Sequence, residues 1–219
     1  MQPSHPPVSD FPAPYPLQFR GSPLAAGVLR LFGWRVLFHG LPARQGVLAV
    51  YPHTSNWDFV VMILAKWAVG VPVRFWGKDT LFNVPLLGHW LRWLGGVPVN
   101  RHSPRGVVGQ AIDHVKACKQ ADDYFWLGLA PEGTRRLSGG WRSGFYQTAH
   151  GADVPVGLIR LDYGTRTVSV LDFIRLCGDE ARDMARISAL YTGVTGLRPA
   201  HAAPVRLVAP AARTDTIRP

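Results

Sequence analysis

The sequence predicts a single α/β domain in which helices flank a mixed, largely parallel sheet. Short apolar runs of strand length alternate with longer segments of helical character, which is typical of parallel strands joined by helices. A turn signal at Gly164-Thr165 between two apolar runs predicts one antiparallel hairpin. With 219 residues, 47% of them hydrophobic, the chain can bury a large core.

The predicted elements follow one another without an internal repeat. We expect strands at 46–51, 71–76, 95–101, 124–130, 154–161 and 167–176. We expect helices at 59–69, 80–93, 107–120, 144–150 and 179–191. The folded domain is therefore predicted to span 42–198.

The two ends of the chain differ in composition from this domain. Six prolines before residue 17 predict a disordered or extended tail over 1–22, and the Ala/Pro-rich segment 199–219 is expected to be loose. Residues 23–41 mix Leu, Phe and Trp with arginine and histidine. They predict a helix that either lies in a membrane interface or packs on the domain, and the sequence leaves both open. Neither a secretory signal peptide nor a membrane-spanning apolar run is expected.

The net charge of +10 and the sequence pI of about 10.3 favour an anionic partner. Zinc-finger spacing, basic arms and RNA-binding aromatic signatures are missing from the sequence, so no nucleic-acid partner is expected. An acidic lipid surface or a phosphorylated substrate fits the charge better. Cys118 and Cys177 form no spacing pattern and are predicted to be free thiols. No metal-ligand cluster is apparent.

The most informative stretch is 52–58, where a predicted strand passes into a predicted helix. His53 and Asp58 lie five residues apart on this turn. An imidazole can accept a proton, and a neighbouring carboxylate can fix its tautomer and stabilise the imidazolium. Since no serine or cysteine stands in a nucleophile setting, we interpret the pair as a base that activates a substrate hydroxyl. The plainer alternative is that Asp58 complements the helix dipole and that His53 is a packed histidine.

Two further turns follow predicted strands and carry charged residues. Arg101 ends one strand, and the turn Glu132-Gly133-Thr134-Arg135 follows another. Ligands of α/β sheets gather beyond the strand ends, so we expect these turns to meet the His53 turn. Guanidinium groups bind phosphate oxygens bidentately, and a glycine lets backbone approach a ligand closely. The alternative for each arginine is a solvated surface charge.

Together these segments resemble the motifs of the glycerolipid acyltransferase family, whose members include the 1-acylglycerol-3-phosphate (lysophosphatidate) acyltransferases. The family's His-x-x-x-x-Asp, Gly-x-x-x-x-x-Arg, Pro-Glu-Gly-Thr-Arg, basic-x-Gly-Phe and Val-Pro-hydrophobic motifs are matched, in order, at 53–58, 95–101, 131–135, 142–145 and 154–156. Two features depart from the family pattern. Arg136 stands where serine is usual, and the sequence is not expected to form a long N-terminal membrane hairpin.

The resemblance implies a glycerol-3-phosphate acyltransferase-like fold and an acyltransferase of phospholipid biosynthesis. It implies transfer of a fatty acyl group from acyl-CoA or acyl carrier protein, acting as co-substrate, to the hydroxyl of a lysophosphatidate-like acceptor. His53 would be the general base and Asp58 the residue that orients it. The implied substrate-binding residues are Arg101, Glu132, Gly133, Thr134 and Arg135. The two arginines would hold the acceptor phosphate, and neither a cofactor nor a metal is implied.

Three expectations remain open on the sequence alone. The acceptor is alternatively a lyso-ornithine lipid or a glycolipid, an alternative that Arg136 invites. A non-catalytic membrane-surface protein of the same fold is a second alternative, although the intact His53 and Asp58 pair argues against it. We expect a peripheral protein at an anionic, cytoplasmic membrane face, with Phe32 and Trp34 inserted shallowly.

Overall fold

A seven-stranded mixed sheet forms the centre of the computed structural model, which describes residues 10–99 and 106–208. The strands are β1 (Arg35–Leu37), β2 (Gln45–Tyr51), β3 (Val73–Lys78), β4 (Gly96–Val99), β5 (Phe125–Leu129), β6 (Val156–Asp162) and β7 (Thr167–Ile174). The helices are α1 (Pro23–Leu31), α2 (Trp57–Val69), α3 (Asp79–Phe82), α4 (Leu87–Trp93), α5 (Gly106–Gln120), α6 (Gly144–Ala152) and α7 (Glu180–Leu190). The predicted α/β fold class is confirmed.

The strand order, β1-β7-β6-β2-β5-β3-β4, gathers the ends of five strands along one edge of the sheet. Neighbouring strands are parallel except β6 and β7, which form the predicted hairpin. Consequently β2, β3, β4, β5 and β6 all point the same way, and their carboxyl ends lie at the same edge. Register pairs Ala49 of β2 with Leu129 of β5 on one side and with Leu158 of β6 on the other. The turns after β2 and β5 are therefore neighbours.

Two helical layers cover the two faces of the sheet. One apolar cluster contains α5, α6 and α7, with Val47 and Ala49 of β2 pointing into it. The other contains α1 and α2, with Leu48 of β2 pointing the opposite way. This alternation follows from the two-residue side-chain period of a strand. Both helical layers lie beside the strands. The edge of the sheet at the carboxyl ends of the strands is therefore not covered by these layers.

The helix predicted over 23–41 is only partly present. Helix α1 ends at Leu31, and β1 pairs with β7 as an edge strand, so the domain begins before residue 42. Phe32 exposes 63% of its surface, whereas Trp34 exposes 7% and packs edge-to-face on Tyr163 at 4.8 Å. The expectation that Trp34 inserts into a membrane is therefore wrong, because its ring completes the core between α1 and the sheet. Within the described residues, no helix is long and apolar enough to cross a membrane.

Both predicted loose ends are folded where the structure describes them. Residues 10–22 lie extended along the α1/α2 layer and contribute partly buried rings, such as Tyr15 against Phe173 at 5.0 Å. Residues 199–208 include a short 3₁₀ helix, Pro199–His201, and Ala203 exposes only 1% of its surface. Proline-rich composition removed regular secondary structure from these segments without preventing them from burying apolar side chains. Residues 1–9 and 209–219 lie outside the described residues.

The long helix predicted over 80–93 is two short helices, α3 and α4. Pro85 lies between them, and Leu86 has a positive φ of 62°. Proline lacks the N–H that would continue α3, so the chain turns before α4 begins. The remaining predicted helices and strands agree with the structure to within two residues at most of their ends.

Candidate active site

The turn after β2 places His53 beside a buried carboxylate. Asp58, in the first turn of α2, exposes 1% of its side chain, and its Oδ2 lies 3.4 Å from Nδ1 of His53. A carboxylate at Nδ1 favours the tautomer with the proton on that nitrogen. The Nε2 lone pair is then left to accept a proton from a substrate, and the His53 ring, with 22% of its side chain exposed, can be reached from solvent.

Asp58 is held by donors on both of its oxygens. The backbone N–H groups of Thr54 and Ser55 donate to Oδ2 at 2.6 and 2.8 Å, and the Tyr163 hydroxyl donates to Oδ1 at 2.8 Å. Burial by itself raises the pKa of Asp58, but the hydrogen bonds from His53, Ser55 and Tyr163 outweigh it and hold the pKa below its ordinary value. Asp58 is therefore kept ionised in a fixed position next to the imidazole.

Tyr163 was not found by sequence reasoning. It lies just after β6, where its N–H donates to the Thr195 carbonyl at 2.8 Å and its ring packs against Trp34. Burial and the hydrogen bond to Asp58 both raise the pKa of Tyr163, so its proton stays on the phenol and keeps donating. A tyrosine in a hairpin turn carries no signal in the sequence that would link it to Asp58.

Glu132, in the turn after β5, fixes the backbone of the site. One of its oxygens accepts the N–H of His53, and the other accepts the N–H of Ala203 at 2.8 Å. Its side chain exposes 1%. Burial raises the pKa of Glu132 above its ordinary value, although the two N–H groups oppose this. The sequence predicted Glu132 as a substrate-binding residue, and in the structure its carboxylate accepts these backbone N–H groups and ties three separate segments together.

The carboxylates of Glu132 and Asp58 accept three successive backbone N–H groups that begin at His53. The N–H of His53 donates to Glu132, and those of Thr54 and Ser55 donate to Asp58. A developing oxyanion needs donors aimed at it before the reaction begins. These three N–H groups already have acceptors, so in this arrangement they do not point at an oxyanion.

The rest of the turn after β5 is open to solvent. Gly133 has a positive φ of 64°, and a Cβ at this position would lie 2.7 Å from Nε of Arg142. The predicted glycine therefore makes room for an arginine of the same chain. The Thr134 hydroxyl accepts the Arg136 N–H at 3.2 Å, and Arg135 is exposed, with its carbonyl oxygen 3.1 Å from Nδ1 of His201.

Arg142 adds a third guanidinium to the two that the sequence predicted for substrate binding. Its backbone N–H donates to the Pro131 carbonyl at 2.8 Å, and its side chain lies against Gly133. The sequence contains a signal for this residue, since Arg142 is the basic residue of the basic-x-Gly-Phe motif. Arg101, which was predicted to hold the acceptor phosphate, lies outside the described residues.

The C-terminal segment also returns to the site. Besides Ala203 on Glu132, the Arg198 N–H donates to the Thr54 hydroxyl at 3.2 Å, and Thr54 is almost fully buried. Nothing in this Ala/Pro-rich sequence indicates such a role. Among the residues that the structure describes, no group of three or more potential metal ligands occurs.

Comparison with known proteins assigns the family. A sequence model described as Acyltransferase matches residues 35–158, more than half of the chain, and this span includes the turns after β2 and β5. The chain belongs to the acyltransferase family, and the protein is an acyltransferase. A search of curated protein sequences found no significant match.

A solved structure offers a more distant likeness. The crystal structure of the 1-acyl-sn-glycerophosphate (LPA) acyltransferase PlsC from Thermotoga maritima aligns with 74% of this chain and 70% of its own. The sequence identity is 20% and the TM-score is 0.49. Assignment to the family therefore depends on the match over 35–158.

Proposed function

We propose that this acyltransferase moves a fatty acyl group from an acyl thioester to the hydroxyl of a lysophosphatidate-like acceptor in phospholipid biosynthesis. The observation that carries the proposal is the contact between His53 and the buried, ionised Asp58 at the end of β2. A thioester is already activated, so the enzyme needs a positioned base rather than a nucleophile of its own. The donor is acyl-CoA or acyl carrier protein.

In the proposed mechanism, the acceptor hydroxyl gives its proton to Nε2 of His53 as its oxygen attacks the thioester carbonyl. Asp58 stabilises the imidazolium that forms. The tetrahedral intermediate then collapses: the new ester C–O bond is kept, the C–S bond breaks, and the thiolate leaves with the proton from His53. The acyl group passes directly from the thioester to the acceptor, and no acyl-enzyme intermediate forms.

Recognition of the acceptor phosphate is assigned to exposed arginines at the rim. Arg135 and Arg142 lie at the turn after β5, which neighbours the His53 turn because β2 and β5 pair. Guanidinium groups match phosphate oxygens with two parallel hydrogen bonds. We assign Arg101 to the same role on its motif position, and Gly133 to clearing space for Arg142.

The proposal is tested with a matrix of acyl donors and lyso-lipid acceptors, monitored by release of free thiol. Acyl-CoA and acyl carrier protein thioesters are compared as donors, and lysophosphatidate, lyso-ornithine lipid and glycolipid as acceptors. His53→Ala should lose a factor on the order of 10² to 10⁴ in transfer while keeping its fold. His89→Ala, at an exposed histidine of α4, is the matched control. Wild-type activity in His53→Ala, or no thiol release with any acceptor, would refute the assignment.

A further inference from the structure

Helix α2 is apolar on the side that faces water as well as on the side that faces the core. The outer side carries, at helical spacing, Trp57, Val60 and Trp67, of which Trp67 is half-buried. The first two of these expose 64% and 42% of their surface. An extended apolar face that remains exposed on a folded protein marks an interaction surface. This face starts beside His53 and runs the length of the helix, about 20 Å at 1.5 Å per residue.

A groove lies at the far end of the same helix. It has a volume of about 620 Å³ and opens between α1, the second half of α2 and the start of β3. This size suits one lipid headgroup or a small ligand. Apolar walls are formed by Leu24, Val28, Trp67 and Trp93. Leu24 and Trp93 expose 79% and 68% of their surface, and Trp67 packs edge-to-face on Trp93 at 5.4 Å.

Three basic side chains line the groove: Arg20, Lys66 and Arg74. Two of them meet at Gly95, where a Cβ would lie 3.0 Å from Nζ of Lys66 and 3.8 Å from Cδ of Arg74. Lys66 donates one hydrogen bond, to the Leu94 carbonyl at 2.5 Å, and its ammonium has two further protons to donate. Burial and then the charge of Arg74 lower the pKa of Lys66. Among the described residues that line the groove, none is acidic, so an anion would relieve this repulsion.

The combination of positive charge and exposed aromatic rings identifies the chemistry of the occupant. A soluble anion would bind the basic side chains and leave the apolar outer face of α2 in water. An apolar protein partner would bury this face and leave the cations without a counter-charge. An anionic phospholipid bilayer satisfies both, since phosphate groups lie at its surface and the acyl boundary accepts tryptophan and leucine side chains.

We propose that the outer face of α2 and this groove dock the enzyme on an anionic phospholipid bilayer. A lipid phosphate is held between Arg20, Lys66 and Arg74, while Trp57 and Trp93 enter the headgroup boundary. The inference rests on the proposed function, because a lyso-lipid acceptor is presented by a bilayer. The docking groove is distinct from the acceptor site, from which the length of α2 separates it.

The test compares two charge-reversal variants in co-sedimentation with vesicles of phosphatidylcholine and phosphatidylglycerol. Arg20→Glu/Arg74→Glu changes two exposed groove residues, and Lys116→Glu/Arg182→Glu makes the same change of net charge on α5 and α7, across the sheet. A basic residue near an anionic surface contributes about fivefold in partitioning, so the groove variant should bind at least about tenfold more weakly. The control should stay within about twofold of wild type. Equal losses in both variants, or no loss in the groove variant, would overturn the proposal.

A second arm separates docking from catalysis. Trp93→Ala should also weaken vesicle binding, and this loss should persist at high salt, which screens only the charges. Both groove variants should retain thiol release with short-chain, water-soluble donor and acceptor. His53→Ala should do the opposite, binding vesicles normally and losing transfer.

Discussion

Two neighbouring turns at the same edge of the sheet are built in opposite ways. In the turn after β2, His53, Thr54 and Ser55 all donate their backbone N–H groups to buried carboxylates. In the turn after β5, Gly133 and the side chains of Arg135 and Arg136 are exposed to solvent. Proton transfer requires a base fixed to within a fraction of an ångström, whereas binding a solvated phosphate tolerates a side chain that adapts.

Under the proposed function, we expect changes in the first turn to act on the rate of the chemical step and changes in the second turn to act on the binding of the acceptor. A variant of the first type lowers kcat, and a variant of the second raises the acceptor KM. Both types can be measured in the same thiol-release assay.

The largest effect is expected for Asp58→Asn. The side chain keeps its shape, but its NH₂ group replaces one of the two oxygens that accept hydrogen bonds. The neutral amide also cannot stabilise the imidazolium of His53. We expect kcat to fall by about 10³- to 10⁴-fold. Asp113→Asn, on α5, is the control for an acidic residue outside the site. A kcat within tenfold of wild type would show that Asp58 serves only the helix.

Glu132→Gln should come next, because the amide leaves one acceptor for two backbone donors. Either His53 or Ala203 loses its partner, at a cost of about 1–3 kcal/mol in the free energy of unfolding. A shift of the His53 backbone by about 1 Å would lower kcat by about 10²-fold. Urea unfolding and kcat are measured on the same preparation. Normal activity in a destabilised variant would show that Glu132 anchors the C-terminal segment and does not position His53.

Tyr163→Phe removes one hydrogen-bond donor to Asp58 and keeps the aromatic ring with its packing contacts. We expect kcat to fall about tenfold, with an unchanged acceptor KM. The hydrogen bond lowers the pKa of Asp58, so its contribution to stability is present above the unfolded value of 3.8 and is lost as pH falls through the lower folded value.

The pH dependence of stability tests whether the Tyr163 hydroxyl acts through the charge of Asp58. Unfolding free energies of wild type and Tyr163→Phe should differ by about 1–3 kcal/mol at pH 7 and converge as the pH drops below 4. A difference that is independent of pH would mean that the hydroxyl does not act through the charge of Asp58. Tyr124→Phe, another partly buried phenol in the same apolar layer, serves as the control.

The smallest effect is expected for Arg135→Lys. Lysine keeps the charge but cannot make a two-point contact, so the acceptor KM should rise by about tenfold or less, while kcat changes little. Arg101→Lys should behave in the same way, and Arg136→Lys is the matched neighbour that should not. If the donor KM rose instead, the arginines would belong to the thioester site.

Local sequence patterns were enough to predict the fold class, most element boundaries and the residues on the turns. Apolar runs and helical spacing are local properties, and the motifs 53–58 and 131–135 lie on turns between elements that those properties predict. The antiparallel hairpin β6–β7 followed from its turn residues. The errors lay in segments where proline or mixed charge hides the pattern, namely 10–22, 23–41, 80–93 and 199–208.

The contacts that hold His53 and Asp58 in place follow only from the three-dimensional packing of the chain. Tyr163 lies 105 positions from Asp58 along the chain, and Ala203 lies 71 positions from Glu132. Contacts at such separation depend on the order of strands in the sheet, which periodicity does not encode. The same holds for Arg142 against Gly133, and for the groove, where residues of α1, α2 and β3 meet. Local patterns specify which residues stand on a turn, and the packing of distant segments specifies which partners they have.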